Sequence, residues 1–95
     1  MLNFTKYPNI PDLTKNALIL YVEEGRMPGS FLYAVLTDNL FDAIGSADAA
    51  NMVALPNIVK FIYNEVPSGA WGSRDKVYTW VHYKFEPRPL KIKTK

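Results

Sequence analysis

Residues 49–66 read AANMVALPNIVKFIYNEV and carry the clearest periodicity in the chain. Apolar residues recur there every three or four positions, the spacing of an amphipathic α-helix. The positions that follow this spacing are Met52, Leu55, Ile58 or Val59, Ile62 and Val66. Pro56 lies inside the pattern, has no N–H and clashes with the preceding turn, so we expect a kink there or two helices. We expect Ser46 or Asp48 to cap the first turn.

Two more helices are predicted upstream. The first begins at Pro11 or Asp12 and ends at Gly25, a residue typical of the position after a helix. Its predicted buried stripe is Leu13, Ala17, Leu20 and Tyr21, widened by Leu18 and Val22. The second covers roughly 30–44, and the poor helix formers at 37–39 predict a kink or a restart capped by Asp38. Its predicted inward residues are Phe31, Leu32, Val35, Leu36, Leu40 and Ile44.

The last third of the chain predicts a long turn over 67–72 and a final helix over about 74–83, capped by Ser73. Apolar residues of that helix are Val77, Trp80 and Val81. The sum is an all-α fold, a compact bundle of four to five short helices. We expect an extended lead-in at 1–11, a single helical domain at 12–83 and a basic tail at 84–95 that contains two prolines. Its Leu90-Lys91-Ile92-Lys93 alternation allows a short edge strand if a partner sheet exists, and disorder is an equal alternative.

Composition excludes several classes of protein. The chain has 95 residues, enough for one domain, and its 48% hydrophobic and 21% charged residues are typical of a globular protein. It has no cysteine, which excludes disulfides, thiolate metal sites and cysteine nucleophiles. His82 is its single histidine, so no histidine metal cluster or dyad forms within one chain. We therefore expect no catalytic residue, no metal and no cofactor, and an enzyme is the reading with least support.

No targeting or membrane segment is predicted. The first six residues lack the apolar core of a secretory signal. The longest apolar run, residues 17–22, is far shorter than the roughly 20 residues of a membrane span. We expect a protein of the cytoplasm.

Charge is unevenly distributed along the chain. Residues 84–95 carry five bases and one acid, a net charge of +4, whereas the other 83 residues carry six bases and eight acids, a net charge of −2. A basic protein suggests nucleic acid as a partner, and here that suggestion is confined to the tail. A mobile, solubilising extension is the alternative reading.

Two helix starts carry Gly-Ser pairs near an arginine. Free N–H groups at a helix start bind phosphate or carboxylate, and guanidinium adds charge. The candidate anion-binding residues are Arg26, Gly29, Ser30, Gly72, Ser73 and Arg74. If the two starts converge in space they form one anion pocket. Plain helix capping is the alternative, and neither run matches the phosphate-binding P-loop pattern.

Aromatic and basic residues near the C-terminus are candidates for contact with a partner. Clusters of Trp, Tyr and basic groups mark interfaces or platforms for base stacking. The residues selected are Trp71, Tyr78, Tyr83, Lys84, Arg88, Lys91 and Lys93. Filling a small core is the alternative role for aromatics, and it is favoured for Trp80. Asp38 and Asp42, one helical turn apart, form a possible carboxylate pair whose alternative is a solvated helix face.

A longer run of residues carries a family resemblance. It consists of Ile10-Pro11, Leu18 to Tyr21, Gly25, Pro28-Gly29-Ser30-Phe31-Leu32, Ala34-Val35-Leu36, Asn39-Leu40, Ala43, Ala47-Asp48, Asn51, Ala54-Leu55-Pro56, Ile58-Val59, Tyr63-Asn64, Pro67, Ala70-Trp71-Gly72-Ser73, Val77 and Trp80. This pattern resembles a family of small bacteriophage-encoded proteins to which no chemistry is assigned. Members of that family stop soon after the final helix, so the tail departs from the pattern.

The resemblance implies a viral accessory protein acting in the cytoplasm of a host cell. Short phage proteins of this class often bind host proteins, including components of antiviral defence. Our first hypothesis is therefore a non-enzymatic protein that modulates or inhibits a host bacterial protein. A binder or sponge for a nucleotide or another anion is the second, and a nucleic-acid binder acting through the tail is the third. The sequence leaves the oligomeric state open.

Overall fold

The computed structural model describes residues 2–85. Within that range it confirms the all-α prediction, since the elements are helical and no strand is present. The helices are α1 (Asp12–Glu24), α2 (Ser30–Leu36), α3 (Leu40–Ser46), α4 (Ala49–Glu65) and α5 (Arg74–Phe85), with a short 3-10 helix at Ser68–Ala70. The edge strand predicted for 90–93 lies outside the described residues.

The core is built from residues of α1, α2, α4, α5 and the lead-in. Its largest fully buried side chains are Tyr21, Phe61, Leu18, Leu36, Ile58 and Val77. These come from four of the helices, so no helix buries its apolar face alone. Burial of such side chains supplies most of the stability of a domain this small.

Helix α1 has the predicted bounds and buries part of the predicted stripe. It ends at Gly25, which adopts φ +70° and donates its amide to the Tyr21 carbonyl at 3.0 Å. The buried positions are Thr14, Leu18, Tyr21 and Val22. Leu18, Tyr21 and Val22 are buried as predicted, whereas Leu13 is 83% exposed and Leu20 is exposed as well, so the prediction was wrong for these two leucines. The run of apolar residues at 17–22 fits several helix faces, and packing selects one of them.

The predicted second helix is two helices, α2 and α3, separated at residues 37–39. Asp38 adopts φ +63°, which ends α2. The cap of α3 is Asn39, whose side chain accepts from the Asp42 amide at 3.2 Å, so the prediction of Asp38 as cap was wrong. Leu40 and Ile44 are exposed, contrary to their predicted inward positions.

Helix α4 runs unbroken from Ala49 to Glu65 through Pro56, which excludes the split into two helices. Pro56 is exposed, so the turn that lacks its N–H faces solvent. Asp48 is the cap, since its carboxylate accepts from the Asn51 amide at 2.8 Å. The buried residues are Ala54, Ile58, Phe61 and Ile62, whereas Met52 and Val59 are exposed.

The lead-in packs along α4. Phe4 stacks on Phe61 with 4.2 Å between ring centroids, and Tyr7 and Ile10 are buried. Tyr7 donates its hydroxyl to the Glu65 carboxylate at 2.8 Å, and this hydrogen bond raises the pKa of the phenol. Residues 4–10 therefore belong to the folded domain.

Helix α5 closes the bundle. Ser73 caps it as predicted, accepting from the Lys76 amide at 3.2 Å, and Val77 is fully buried. Trp80 donates its indole N–H to the Tyr21 carbonyl at 3.1 Å, consistent with its predicted core role. The helix extends to Phe85, so Lys84 belongs to α5.

Candidate functional site

An apolar groove of about 300 Å3 lies between the α2–α3 corner, α4 and the turn before α5. The residues that line it are Val35, Asp38, Asn39, Leu40, Ala43, Leu55, Val59, Ile62, Tyr63, Trp71 and Gly72. All of these except Asp38, Asn39 and Gly72 present a largely apolar side chain. Concave apolar surfaces with a few polar groups are typical of binding sites.

Three large side chains of the groove remain exposed. Leu40 is 62% exposed, Val59 46% and Tyr63 71%. Isolated exposed apolar residues are ordinary, but several lining one depression form a continuous apolar surface. Burying them against a partner would release free energy at about 25 cal/mol per Å2 of apolar area. The groove is therefore suited to binding another apolar surface.

The wall formed by Trp71 is held by three contacts. Its indole N–H donates to the Val66 carbonyl at 3.1 Å, and its ring centroid lies 5.8 Å from that of Tyr63. Gly72 adopts φ +115° and donates its amide to the Leu36 carbonyl at 2.7 Å. A residue with a side chain is strained at that φ, so glycine allows the turn to reach the end of α2. These bonds fix the groove before any partner binds.

The corner between α2 and α3 brings a carboxylate to the groove. Asp38 lines the groove, and Asn39 beside it donates its side-chain amide to the Asp42 carboxylate at 2.8 Å. Residues 27–59, which supply α2, α3 and more than half of α4, contain three aspartates and no Lys, Arg or His. Lys60 follows directly in sequence, but Asp38 is the only charged residue among those that line the groove. A basic partner is favoured over an acidic one.

The two predicted anion-binding helix starts line different cavities. Gly29 and Ser30 line a shallow cavity of about 310 Å3 that also includes Asp48 and Asn51, at the start of α4. Gly72 lines the apolar groove. Neither cavity is lined by residues of both starts. The Asp48 carboxylate already accepts an amide at the start of α4, so that end carries negative charge.

The remaining anion candidates have structural contacts. The Arg26 guanidinium lies 3.8 Å from the Glu24 carboxylate, and the Ser73 hydroxyl caps α5. Arg74 is exposed at the first position of α5. For Ser73 the role is therefore helix capping, the alternative to anion binding that the sequence left open.

The predicted partner-binding residues fall into two groups. Trp71 is half-buried in the groove wall, whereas Tyr78 and Tyr83 are exposed on α5. Lys84 places its ammonium 5.2 Å from the centroid of the Trp80 ring. Arg88, Lys91 and Lys93 lie outside the described residues.

Residues 2–85 contain neither a metal-binding cluster nor a membrane-spanning helix. No group of three or more His, Asp or Glu residues is placed there to hold a metal ion. Asp42, half of the predicted carboxylate pair, is bound by Asn39. None of the helices in this range has the length and apolar character needed to cross a bilayer.

Sequence reasoning missed the groove. The periodicity predicts Leu40, and either Ile58 or Val59, as inward-facing, and it does not mark Tyr63. Of the predicted binding residues, Trp71 and Gly72 do line the groove. Helical periodicity marks apolar residues but does not tell which of them a neighbour covers. The sequence signal that points to the groove is the number of apolar residues on α4, which is larger than one buried stripe requires.

Comparisons of the chain with protein-family models, with curated proteins and with solved structures each found no match. The resemblance to phage proteins therefore stays a prediction.

Proposed function

We propose that this protein is a non-enzymatic binding protein whose apolar groove takes an amphipathic helix of a host bacterial protein. The observation that carries the proposal is the exposure of Leu40, Val59 and Tyr63 along one preformed depression. Helices bind such grooves through apolar side chains at positions i, i+3, i+4 and i+7. Binding in this way modulates or inhibits the host protein.

Charge defines the chemistry of the partner helix. Asp38 is the only charged residue among those that line the groove. The partner helix therefore carries Lys or Arg beside its apolar stripe. Such pairs steer association and fix orientation more than they add affinity.

The resemblance supports a host protein as the source of that helix. Most groove residues, among them Leu40, Val59, Tyr63 and Trp71, belong to the pattern shared with small phage proteins. The groove thus coincides with the part of the chain that carries the resemblance. Inhibition of an antiviral defence component is one form that this function takes.

Nucleotide or anion binding has less support. It depends on two helix starts facing one cavity, and the starts line separate cavities. The carboxylates of Asp38 and Asp48 at these cavities repel phosphate.

The test compares two valine variants of α4. Val59→Asp places a carboxylate in the groove, whereas Val53→Asp places one at a 76% exposed position that does not line it. Purified wild-type protein is crosslinked in host lysate, the partner is identified by mass spectrometry, and the contacted helix is made as a peptide. We expect the wild type and Val53→Asp to bind this peptide alike, and Val59→Asp to bind it at least tenfold more weakly.

Three results would contradict the proposal. The first is a crosslink on this protein that lies outside the groove. The second is equal binding of the peptide by the two valine variants, and the third is a partner helix without basic residues. We expect both variants to fold, because both positions are exposed, and thermal denaturation checks this. A nucleotide panel that raises the melting temperature would favour the second hypothesis instead.

A further inference from the structure

Phe41 is the most exposed large apolar side chain in the part of the chain that the structure describes, at 88%. It lies on α3, whose buried position is Ala43. Residues two apart on a helix point in nearly opposite directions, so Phe41 projects away from the body of the molecule. Its neighbours Leu40 and Ile44 on α3 are exposed as well. The outer surface of α3 therefore presents a protruding aromatic ring.

The apolar groove begins beside this ring. Leu40, the residue before Phe41, lines the groove together with Val59 and Tyr63 of α4. Met52, Val59 and Tyr63 follow at intervals of seven and four residues, so they form one exposed row of α4 that borders the groove. An apolar cavity of about 150 Å3 accommodates a benzene ring. The groove, at about 300 Å3, therefore has room for a phenylalanine side chain.

A protruding ring next to a matching depression is self-complementary under two-fold symmetry. In a two-fold interface each contact occurs twice, because residue i of one copy meets residue j of the other and the reverse. Phe41 of each copy can then enter the groove of the other copy. Both rings are buried by this arrangement, and no further copy is needed to cover them.

The exposed apolar area matches what a stable dimer needs. An interface of standard size takes about 800 Å2 from each copy, of which roughly 500 Å2 is apolar. Phe41 and Tyr63 offer roughly 250–400 Å2 between them, given their exposure and the usual area of an aromatic side chain. Four partly exposed aliphatic side chains of the same face add roughly 100–250 Å2. They are Leu40, Ile44, Met52 and Val59.

We propose that the protein forms a two-fold dimer in which Phe41 of each copy occupies the apolar groove of the other. The second copy covers the groove that the proposed function assigns to a host helix, so the two occupants compete. That competition rests on the proposed function, whereas the dimer itself does not. The dimer keeps the groove closed until a host helix replaces the phenylalanine ring.

Charge distinguishes the two occupants of the groove. Asp38 lines the groove in each copy, and Asp42 follows Phe41 on α3. Both copies bring carboxylates to the interface, so like charges oppose the dimer. Salt screens this repulsion, and we therefore expect the dimer to strengthen as the salt concentration rises. Binding of a basic helix beside Asp38 should weaken under the same change.

Sedimentation equilibrium of the full chain, without any partner, measures the dissociation constant of the dimer. The protein is studied from roughly 1 μM to 1 mM, a range that covers weak and moderate interfaces. We expect a monomer–dimer equilibrium for the wild type. Phe41→Ala should raise the dissociation constant roughly a hundredfold, because each dimer loses two aromatic anchors. Leu13→Ala, which shortens a similarly exposed side chain on α1, should leave it unchanged.

A mixture of two variants tests whether the contact is reciprocal. Phe41→Ala keeps the groove and lacks the ring, whereas Val59→Asp keeps the ring and places a carboxylate in the groove. Each variant alone lacks both contacts of the dimer. The mixture restores one of the two contacts, so it should dimerise more tightly than either variant alone at the same total concentration. Both positions are exposed, so we expect both variants to fold, and circular dichroism checks this.

The proposal fails if the wild type stays monomeric up to the highest concentration. It fails as well if Phe41→Ala dimerises like the wild type, since the contact then lies elsewhere. Masses that grow beyond the dimer would show head-to-tail association in place of two-fold closure. A mixture no tighter than the single variants excludes the reciprocal contact. None of these measurements includes the host peptide, so a failed dimer and a failed host interaction are told apart.

Discussion

At the scale of single residues, Tyr21 connects three parts of the chain. Its side chain is fully buried, and its hydroxyl donates to the Ala70 carbonyl at 2.6 Å. Its own carbonyl accepts the indole N–H of Trp80 at 3.1 Å. One residue of α1 thereby fixes both the 3-10 turn and α5. Burial also raises the pKa of the Tyr21 phenol far above its ordinary value near 10.

Removing that hydroxyl gives a prediction with a definite pH dependence. We expect Tyr21→Phe to lower the free energy of unfolding at pH 7 by about 1–3 kcal/mol, because the buried Ala70 carbonyl loses its donor. Above about pH 10 the phenol ionises in the unfolded chain and stays protonated in the folded one, so the wild type loses stability as pH rises. The difference between wild type and variant should therefore shrink between pH 10 and 11.

Urea unfolding at a series of pH values measures this difference. Tyr83→Phe is the matched control, since Tyr83 is 73% exposed, and it should follow the wild type at every pH. Tyr7 also has a raised pKa, but it is present in all three proteins and cancels in the comparison. A wild-type advantage that stays constant up to pH 11 would contradict the prediction.

At the scale of helices, α1 shows that an apolar residue in the helical pattern is not always buried by packing. Leu13 and Leu18 both lie in the apolar pattern of this helix. Leu18 is fully buried and Leu13 is 83% exposed. Thr14 lies inside, where its hydroxyl donates to the Asn51 side chain on α4 at 2.6 Å. The buried face of α1 thus includes a hydrogen bond that joins this helix to α4.

Truncating the two leucines tests which face is buried. We expect Leu18→Ala to lower the free energy of unfolding by about 2–5 kcal/mol, because a large side chain is removed from a closed core. Leu13→Ala should change it by less than about 0.5 kcal/mol, as for other exposed positions. Urea denaturation followed by circular dichroism compares the two variants. Equal losses would mean that Leu13 is buried as well, as the sequence pattern predicts.

At the scale of the whole molecule, the lead-in completes the core. Tyr7 bonds to Glu65 and the Asn57 side-chain amide donates to the Pro8 carbonyl at 2.8 Å, contacts that span about half the chain. Phe4 stacks on the Phe61 ring, and Tyr7 meets the same ring edge-on. A segment without helix or strand is thereby as much a part of the domain as α1.

The contribution of the lead-in is measured at Ile10, which is 4% exposed. Ile10→Ala should lower the free energy of unfolding by about 2–5 kcal/mol, the usual effect of emptying a buried aliphatic site. Thr5→Ala, at an exposed position of the same segment, should have little effect. An unchanged unfolding midpoint in Ile10→Ala would show that the lead-in adds nothing to stability.

The sequence by itself determined the helices and several of their ends. Gly25, Ser73 and the break at 37–39 are local signals, because backbone conformation and capping depend on neighbouring residues. The wrong cap at Asp38 was an error of one residue, since Asp and Asn serve equally well at such positions.

Only the tertiary structure decided which apolar residues are buried and where the groove lies. Leu40, Val59 and Tyr63 have the same side-chain chemistry as core residues, and they line a surface because no other helix covers them. Coverage depends on residues distant in sequence, such as the Gly72 amide that reaches the Leu36 carbonyl. Local periodicity contains no information about such contacts, so the site could not be predicted from it.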